Sequence, residues 1–551
     1  MDISQLITMS NRLLSKRGSL LSLWQDIAEH VYPERADFTV NRSIGTEFAD
    51  NLATSYPMML RRDLGNAFST MLRPTSIDWF HMRTDREEDE DQAALQWFEA
   101  KTDIMRRAMY DRASGFQRAT KEGDHDYAAF GNAVISVQPN RNANGLLFRN
   151  WHLRDCAWCE NDEGKVDTLH RKWTPTALQL TATFRNVHEK VREKLTGGNR
   201  DPYHEVHCRH IVMPAAQYDG EYAGRGSNQN PAPYVSIYLD VDNNHVMEAV
   251  GQRHFMYVVP RWQTISGSQY AYSPAAVAGL ADARLLQAMT ESLLEAGEKA
   301  VNPPMIAVQE ALRSDVSIYA RGITWVDAAY DERLGEVLRP LTQDKSGIPF
   351  GMDLRREAMA QLQEAFFVNK LSLPVTGPEM TAYEVGQRVQ DYIRQAAPIF
   401  EPVESEYNGA LCETTFDLMM QMGAFGRLDE IPESIQGKDI AFRFESPLHD
   451  AIERQKGQKY QEMFALMTQT VSADQTAVAD VDVKTAFRDT LNGINVPAKW
   501  LRSAEDAAKI IQQQEEEIAQ QKLLATLQQG GEAAQAVGKA GQFMGEQGMA
   551  A

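Results

Sequence analysis

An α+β fold is predicted by three features: helix-period apolar repeats toward both ends of the chain, a switch to two-residue alternation between residues 130 and 272, and Pro/Gly punctuation between the segments. With 551 residues the chain has room for several packed units, roughly two to four domains by length.

Residues 3 to 31 read as helical, with Leu20, Trp24, Ile27 and Val31 on one face, and further helices are expected over 51–72 and 92–112. Before the last of these runs Asp85-Arg86-Glu87-Glu88-Asp89-Glu90-Asp91, whose carboxylates would complement the N-terminal dipole of a helix starting near Gln92. A solvated helix entrance is the plain reading; a cation site or a patch for a basic partner is the functional one. Between 130 and 272 the period turns to two, as in Ala133-Val134-Ile135-Ser136-Val137 and Tyr234-Val235-Ser236-Ile237-Tyr238-Leu239.

The next strong helix runs from 274 to 300, with Pro274 suited to its first turn and apolar residues on more than one side: Val277, Leu280, Leu286, Leu293 and Leu294 among them. At 1.5 Å per residue it is about 40 Å long. Asn302-Pro303-Pro304 ends it, a strand-and-turn block follows to about Ser346, and Met352 to Leu371 reads helical again. Ser372 to Met380 contains Pro374, Gly377 and Pro378 and reads as a loop.

Thr381-Ala382-Tyr383-Glu384 has capping-box spacing and opens a helix whose apolar face recurs at Ala382, Val385, Val389, Tyr392 and Ala396. Pro398 and Pro402 interrupt this pattern, and Val403, Tyr407, Leu411, Leu418 and Met422 resume it, so one long helix kinked near its middle is expected. Residues 447–502 read as broken helix, 503–529 as a Gln/Glu/Ala-rich helix marginal by itself, and 530–551 as a frayed Gly/Ala/Gln-rich tail.

Thr381-Ala382-Tyr383-Glu384-Val385-Gly386-Gln387-Arg388, continued by Ala397-Pro398-Ile399-Phe400, resembles the "T-A-x-E-V-x-x-R" segment of the portal (head-to-tail connector) proteins of short-tailed, podovirus-type bacteriophages. Three further segments resemble that family in the right order. Trp24, Ile27, Ala28, Tyr32 and Pro33 are similar to its opening helix. Gly267 to Pro274 is similar to its "Y-G-R-S-P" run, with Ala271-Tyr272 in place of the usual Gly-Arg. Glu445-Ser446-Pro447-Leu448 is similar to its "S-P-L" turn.

The resemblance implies a portal fold assembled as a twelve-fold ring at one capsid vertex. It assigns 1–272 to the wing, 273–301 to a stem helix, 302–346 to the clip, 347–371 to the returning stem helix and 372–380 to a tunnel loop. Residues 381–446 become the kinked helix and the remainder of the wing, 447–502 the crown, 503–529 a barrel helix and 530–551 a flexible tail. It makes Lys370, Pro374, Thr376, Pro378 and Glu379 the candidates to face DNA, and Thr381, Glu384, Arg388, Pro398 and Pro402 the residues that shape the kinked helix. It further implies double-stranded DNA threading the channel, the terminase large subunit docking on the clip, contacts with the major capsid and scaffolding proteins, and tail adaptor proteins replacing the motor.

A formal net charge of −20 and a pI near 5.1 argue against a protein that grips nucleic acid by neutralising phosphates. An acidic wall suits a conduit instead, because salt confines its repulsion to about 10 Å and lets a duplex slide. The first twenty residues lack the layout of a secretory signal, and no apolar run approaches the roughly 18 residues needed to cross a bilayer. Synthesis in a cytoplasm, with Cys156, Cys159, Cys208 and Cys412 reduced, is therefore expected.

His152, Cys156, Cys159 and His170 offer zinc-like ligands, with His204, His207, Cys208 and His210 nearby, although alternation along a strand would split the second group between two faces. Ordinary packing accounts for both groups as well, and no cofactor is expected. No G-x-x-x-x-G-K-[ST], G-x-S-x-G or H-E-x-x-H motif occurs, so an enzyme has no residues to stand on. The alternative to a portal is a virion adaptor or scaffold, against which stand the strand-rich block, nine tryptophans and the length of the chain.

Overall fold

A computed structural model of the chain describes residues 2–307 (apart from 44, 50–51, 76–77, 87–90, 198–199 and 226–231), 312, 325, 327, 338–340, 347–368, 394–444 (apart from 396–397, 400 and 428–429), 460–468 and scattered residues of 482–521. It divides into two compact units. One comprises Met1–Trp79, Ile104–Phe425 and Phe444–His449, the other Phe80–Asp103, Gly426–Arg443 and Asp450–Ala551.

The first unit opens with two helices, α1 (Ile3–Ser15) and α2 (Gly18–Val31), where the sequence suggested one. The break lies at Arg17, whose buried guanidinium turns inward and donates to the carbonyls of Leu153, Arg154 and Cys156. Three acceptors for one buried cation outweigh an unbroken helix. The expected face of α2 is otherwise present, with Trp24, Ile27 and Val31 buried, and Trp24 packs on Phe38 and Phe130.

Next come α3 (Tyr56–Leu72), α4 (Gln92–Met109), which crosses the boundary between units, and α5 (Phe116–Phe130). The Asp91 carboxylate accepts from the Ala94 N–H, the helix-start role foreseen for the acidic run. The sequence reading did not single out α5, because FQRATKEGDHDYAAF looks polar; in the fold Gly123, Asp124, Asp126 and Tyr127 are all buried.

Two sheets occupy the strand-rich block. β2 (Ile135–Pro139) pairs antiparallel with β3 (Leu146–Asn150) on one side and β9 (Tyr257–Val258) on the other. The larger sheet is an antiparallel meander of β4 (Cys156–Glu160), β5 (Val166–Trp173), β6 (Cys208–Pro214), β7 (Tyr234–Asp240) and β8 (His245–Gln252). Its two-residue period separates an apolar face, where Ile211, Met213, Val235, Ile237 and Leu239 receive Leu6 of α1, from a polar one carrying His210, Ser236 and Tyr238. Two short helices, α6 (Ala177–Thr183) and α7 (Glu189–Thr196), are inserted between β5 and β6 and share a core with Val206, Cys208 and Met247.

After the sheets comes α8 (Pro274–Val301), with Ser273 as its cap and Pro274 in its first turn as expected. The strand pair β10 (Met305–Ala307) and β11 (Leu338–Pro340) then leads to α9 (Gly347–Ala365). A π-helical segment, Val403–Gly409, runs into α10 (Ala410–Gln421). In the second unit β1 (Phe80–Thr84) pairs with β12 (Ile440–Phe444), and the Met82 N–H is held by the Thr102 hydroxyl. Residues 460–468, 509–514 and 516–521 are helical, within the stretches read as helix from sequence.

Candidate functional site

The helices α8 and α9 form a closely packed pair, and small residues set how near they come. A Cβ on Gly279 would lie 2.9 Å from Phe366 and 3.3 Å from Leu362, and one on Gly351 would lie 3.0 Å from Leu293. One face of α8, Ala275, Ala276, Gly279, Leu280, Ala283, Leu286 and Thr290, is buried. The remainder of the pair carries apolar side chains into the open: Val277, Leu285, Leu294 and Val301 on α8, and Phe350, Met352 and Leu354 on α9. Leu294 and Phe350 are 57% and 67% exposed, far from what large apolar groups favour in a finished assembly.

The base of this pair is fixed by direct backbone contacts. Gly131, at φ +72°, ends α5 so close to the Tyr272–Ser273 peptide that a Cβ would come within 2.3 Å of backbone atoms. Asn132 donates to the carbonyls of Phe130 and Ala271 and accepts from the Ala271 N–H. The Ser273 hydroxyl donates to Ala128 O at 2.6 Å and accepts from the Ala276 N–H at 3.2 Å. The Gly267–Pro274 run therefore starts α8 and rivets it to α5. Farther along, the Gln287 amide pairs with both backbone groups of Thr54 at 2.9 and 2.7 Å.

A second fixed point lies at the π-helical segment. Pro402 precedes it as the cap, and Pro398 sits exposed in helix four residues earlier. The π-helical bonding thus begins directly after Pro402. Its wider turn brings Asn408 and Tyr407 against Arg73: the guanidinium donates to Asn408 Oδ1 at 2.6 Å, pairs with Asp124, and lies 4.7 Å from the Tyr407 ring centre. Burial pushes the Asp124 carboxyl upward, and the adjacent Arg73 opposes that shift. At the outer side Arg261 binds Glu406 through Nε and a terminal nitrogen, both at 3.1 Å, and also pairs with Glu160. An open groove of about 560 Å³ lies here, lined by Arg261, Trp262, Thr264, Glu401, Glu404 and Glu406 among others.

Of the residues singled out from sequence, Lys370, Pro374, Thr376, Pro378, Glu379, Thr381, Glu384 and Arg388 lie outside the described residues, as does Glu445-Ser446-Pro447-Leu448. Arg73, Asp124, Gly131, Asn132 and Asn408 were missed. Only the Gly131-Asn132 pair after a helical stretch carried a local signal; the others matter through partners up to 335 positions away.

The zinc-like residues do not converge. Cys156 and Cys159 sit three apart on one strand and point to opposite faces. His152 receives the Arg154 N–H at Nδ1 and meets Asp37 at 2.6 Å through Nε2, while His210 is spent on Tyr257 and Ser236 and stacks on Tyr238 at 3.9 Å. Burial drives the Cys156 thiol up to about 12. Among the described residues no group of three or more His, Cys, Asp or Glu side chains could hold a metal ion, and no helix is long and apolar enough to cross a membrane.

The family described as "Bacteriophage head to tail connecting protein" matches residues 4–501. The chain belongs to this family. The connector is 26% identical over 453 residues to the probable portal protein of Bordetella phage BPP-1, and 21% identical over 464 residues to the portal protein of Salmonella phage epsilon15. Each alignment covers 81% of this chain and 79% of the relative. Among solved structures the connector is loosely similar to a chain of the virion of a native gene transfer agent particle (TM-score 0.36, 8% identity, 75% of this chain and 86% of that one). A chain of the neck of an empty particle gives TM-score 0.34, 10% identity and the same coverage. The connector is a portal protein, a virion component acting at the capsid vertex.

Proposed function

We propose that copies of this chain close into a ring of about twelve subunits, through which double-stranded DNA is packaged by the terminase and later ejected, and to which tail proteins attach. The observation that carries the reading is the family match across residues 4–501. The α8–α9 pair supports the ring part of it: Val277, Leu285, Leu294, Phe350 and Met352 stand exposed on one subunit, and a neighbour would cover them. Contacts that are heterologous and close upon themselves make rings.

On this reading α8 and α9 are the stem, 302–346 the clip where the terminase and then tail adaptors dock, and 1–272 with 381–446 the wing. Residues 372–380 form the tunnel loop, 447–502 the crown and 503–529 the barrel. The net charge of −20 supports passage of DNA without retention. The role is structural, and no catalytic residue is assigned.

Negative-stain electron microscopy of the purified protein tests the proposal. Closed rings with about twelve lobes and a hole roughly 20–40 Å across, wide enough for a duplex, are expected. Replacing both Leu285 and Phe350 by Asp should leave a folded subunit by circular dichroism and abolish rings. Rings that survive this double substitution would remove the stem pair from the interface, and monomers of the unaltered chain in the presence of scaffold would favour an adaptor.

A further inference from the structure

The insertion between β5 and β6 carries a groove with an apolar floor and arginines at its rim. Helices α6 and α7 flank a groove of about 530 Å³ lined by Thr181, Ala182, Thr183, Phe184, Arg185, Arg192, Leu195 and Thr196. Its floor is apolar, because Phe184 and Leu195 belong to the core beneath. Leu178, one helical turn before Ala182, is 49% exposed and extends the apolar strip beyond the groove. The threonine hydroxyls are already committed, donating to Ala177 O, Gln179 O and Arg192 O. They present methyl groups and oxygen lone pairs rather than free donors.

The charge around this groove opposes that of the chain. Arg185 and Arg192 line it, Arg141 reaches Ala182 at its edge, and no carboxylate is among the lining residues, within a protein of net charge −20. None of these three arginines forms an ion pair among the described residues. Arg141 and Arg192 are instead aimed at the groove walls, donating to Ala182 O at 2.6 Å and Arg185 O at 2.5 Å. Three arginines without a carboxylate partner beside an apolar groove leave charge for an external group to neutralise.

We propose that this groove docks an acidic amphipathic segment of a partner protein, apolar side chains on the Ala182–Phe184–Leu195 floor and carboxylates on Arg185 and its neighbours. The apolar floor favours a peptide over nucleic acid, since a phosphodiester backbone has nothing to place there, and the one aromatic ring in the groove, Phe184, is buried rather than open for base stacking.

The test uses the full chain and fluorescence anisotropy with three labelled probes: an amphipathic helical peptide of Leu, Ala and Glu, the same peptide with Lys replacing Glu, and a single-stranded oligodeoxynucleotide. The Glu peptide should bind, weaken as salt rises, and lose at least about tenfold in affinity both in Arg185→Glu and in Ala182→Trp, which fills the groove without touching charge. Both positions are exposed, so an unchanged melting temperature is the control for folding. The proposal is overturned by absence of Glu-peptide binding, by equal binding of the Lys peptide, by unaltered affinity in both variants, or by the oligonucleotide binding more tightly with the same sensitivity to Arg185→Glu.

Discussion

Single residues fix this protein where charge is buried. Arg73 and Asp124 are 3% and 0% exposed, and the pair is completed by Asn408. Breaking such a pair leaves the remaining charge unneutralised in a low dielectric, at a cost of roughly 3–5 kcal/mol. Asp124→Asn should therefore lower the urea midpoint sharply, and Asp124→Asn combined with Arg73→Met should recover much of the loss. Equal stability of Asp124→Asn and the wild type would show that the pair contributes little.

Buried histidines set the response to acid. Burial holds His170 and His254 to about 4 against an ordinary 6.5, so the folded protein keeps both imidazoles neutral while the unfolded chain takes up their protons first. Stability is full above about pH 6.5 and is lost as pH falls toward 4, by up to roughly 3 kcal/mol for each group. Melting temperatures measured from pH 8 to 4 should fall across that window. His254→Leu should flatten the slope; a slope unchanged by the substitution would exclude His254 as a contributor.

At the scale of elements, the joint between α5 and α8 decides how the long helix leaves the body. Gly131 occupies a left-handed conformation against the backbone that begins α8, so a side chain there meets both strain and collision. Gly131→Ala should cost at least about 2 kcal/mol, read from denaturant midpoints, whereas Gly297→Ala, which meets nothing within 4 Å in the interior of α8, should be neutral or stabilising. The π-helical segment is the second joint. Gly409 brings a would-be Cβ to 3.2 Å from the Glu404 carbonyl five residues back, the close approach that a wide turn requires. It converts the irregularity after Pro402 into a precise placement of Tyr407 and Asn408 on α3 and α5.

For the whole molecule, the portal reading predicts a separation between assembly and DNA handling. Shortening 373–379, the proposed tunnel loop, should leave rings intact in electron micrographs while packaged DNA per head falls. Monomeric product from that deletion would mean that the segment belongs to the subunit contact instead.

Much of this was open to reading along the chain. Val403, Tyr407, Leu411 and Leu418 are buried at the helical steps expected of them, Tyr234–Leu239 is a strand, and α8 begins at the Ser273-Pro274 signal, because period and capping are local properties that neighbours in sequence encode. Family membership was equally legible, since the family read from four short segments in order is the one that matches residues 4–501. Other features depended on distance. Arg17 breaks the first helix for carbonyls more than 130 positions away, and Asp124 looks like an ordinary polar helix residue until Arg73 and Asn408 surround it. Sequence by itself determined many of the helical and strand segments, though neither α5 nor the break at Arg17, and to which family the chain belongs. The tertiary structure decided which charges are buried and paired, where α8 is anchored and which apolar side chains remain uncovered, because those depend on groups that only folding brings together.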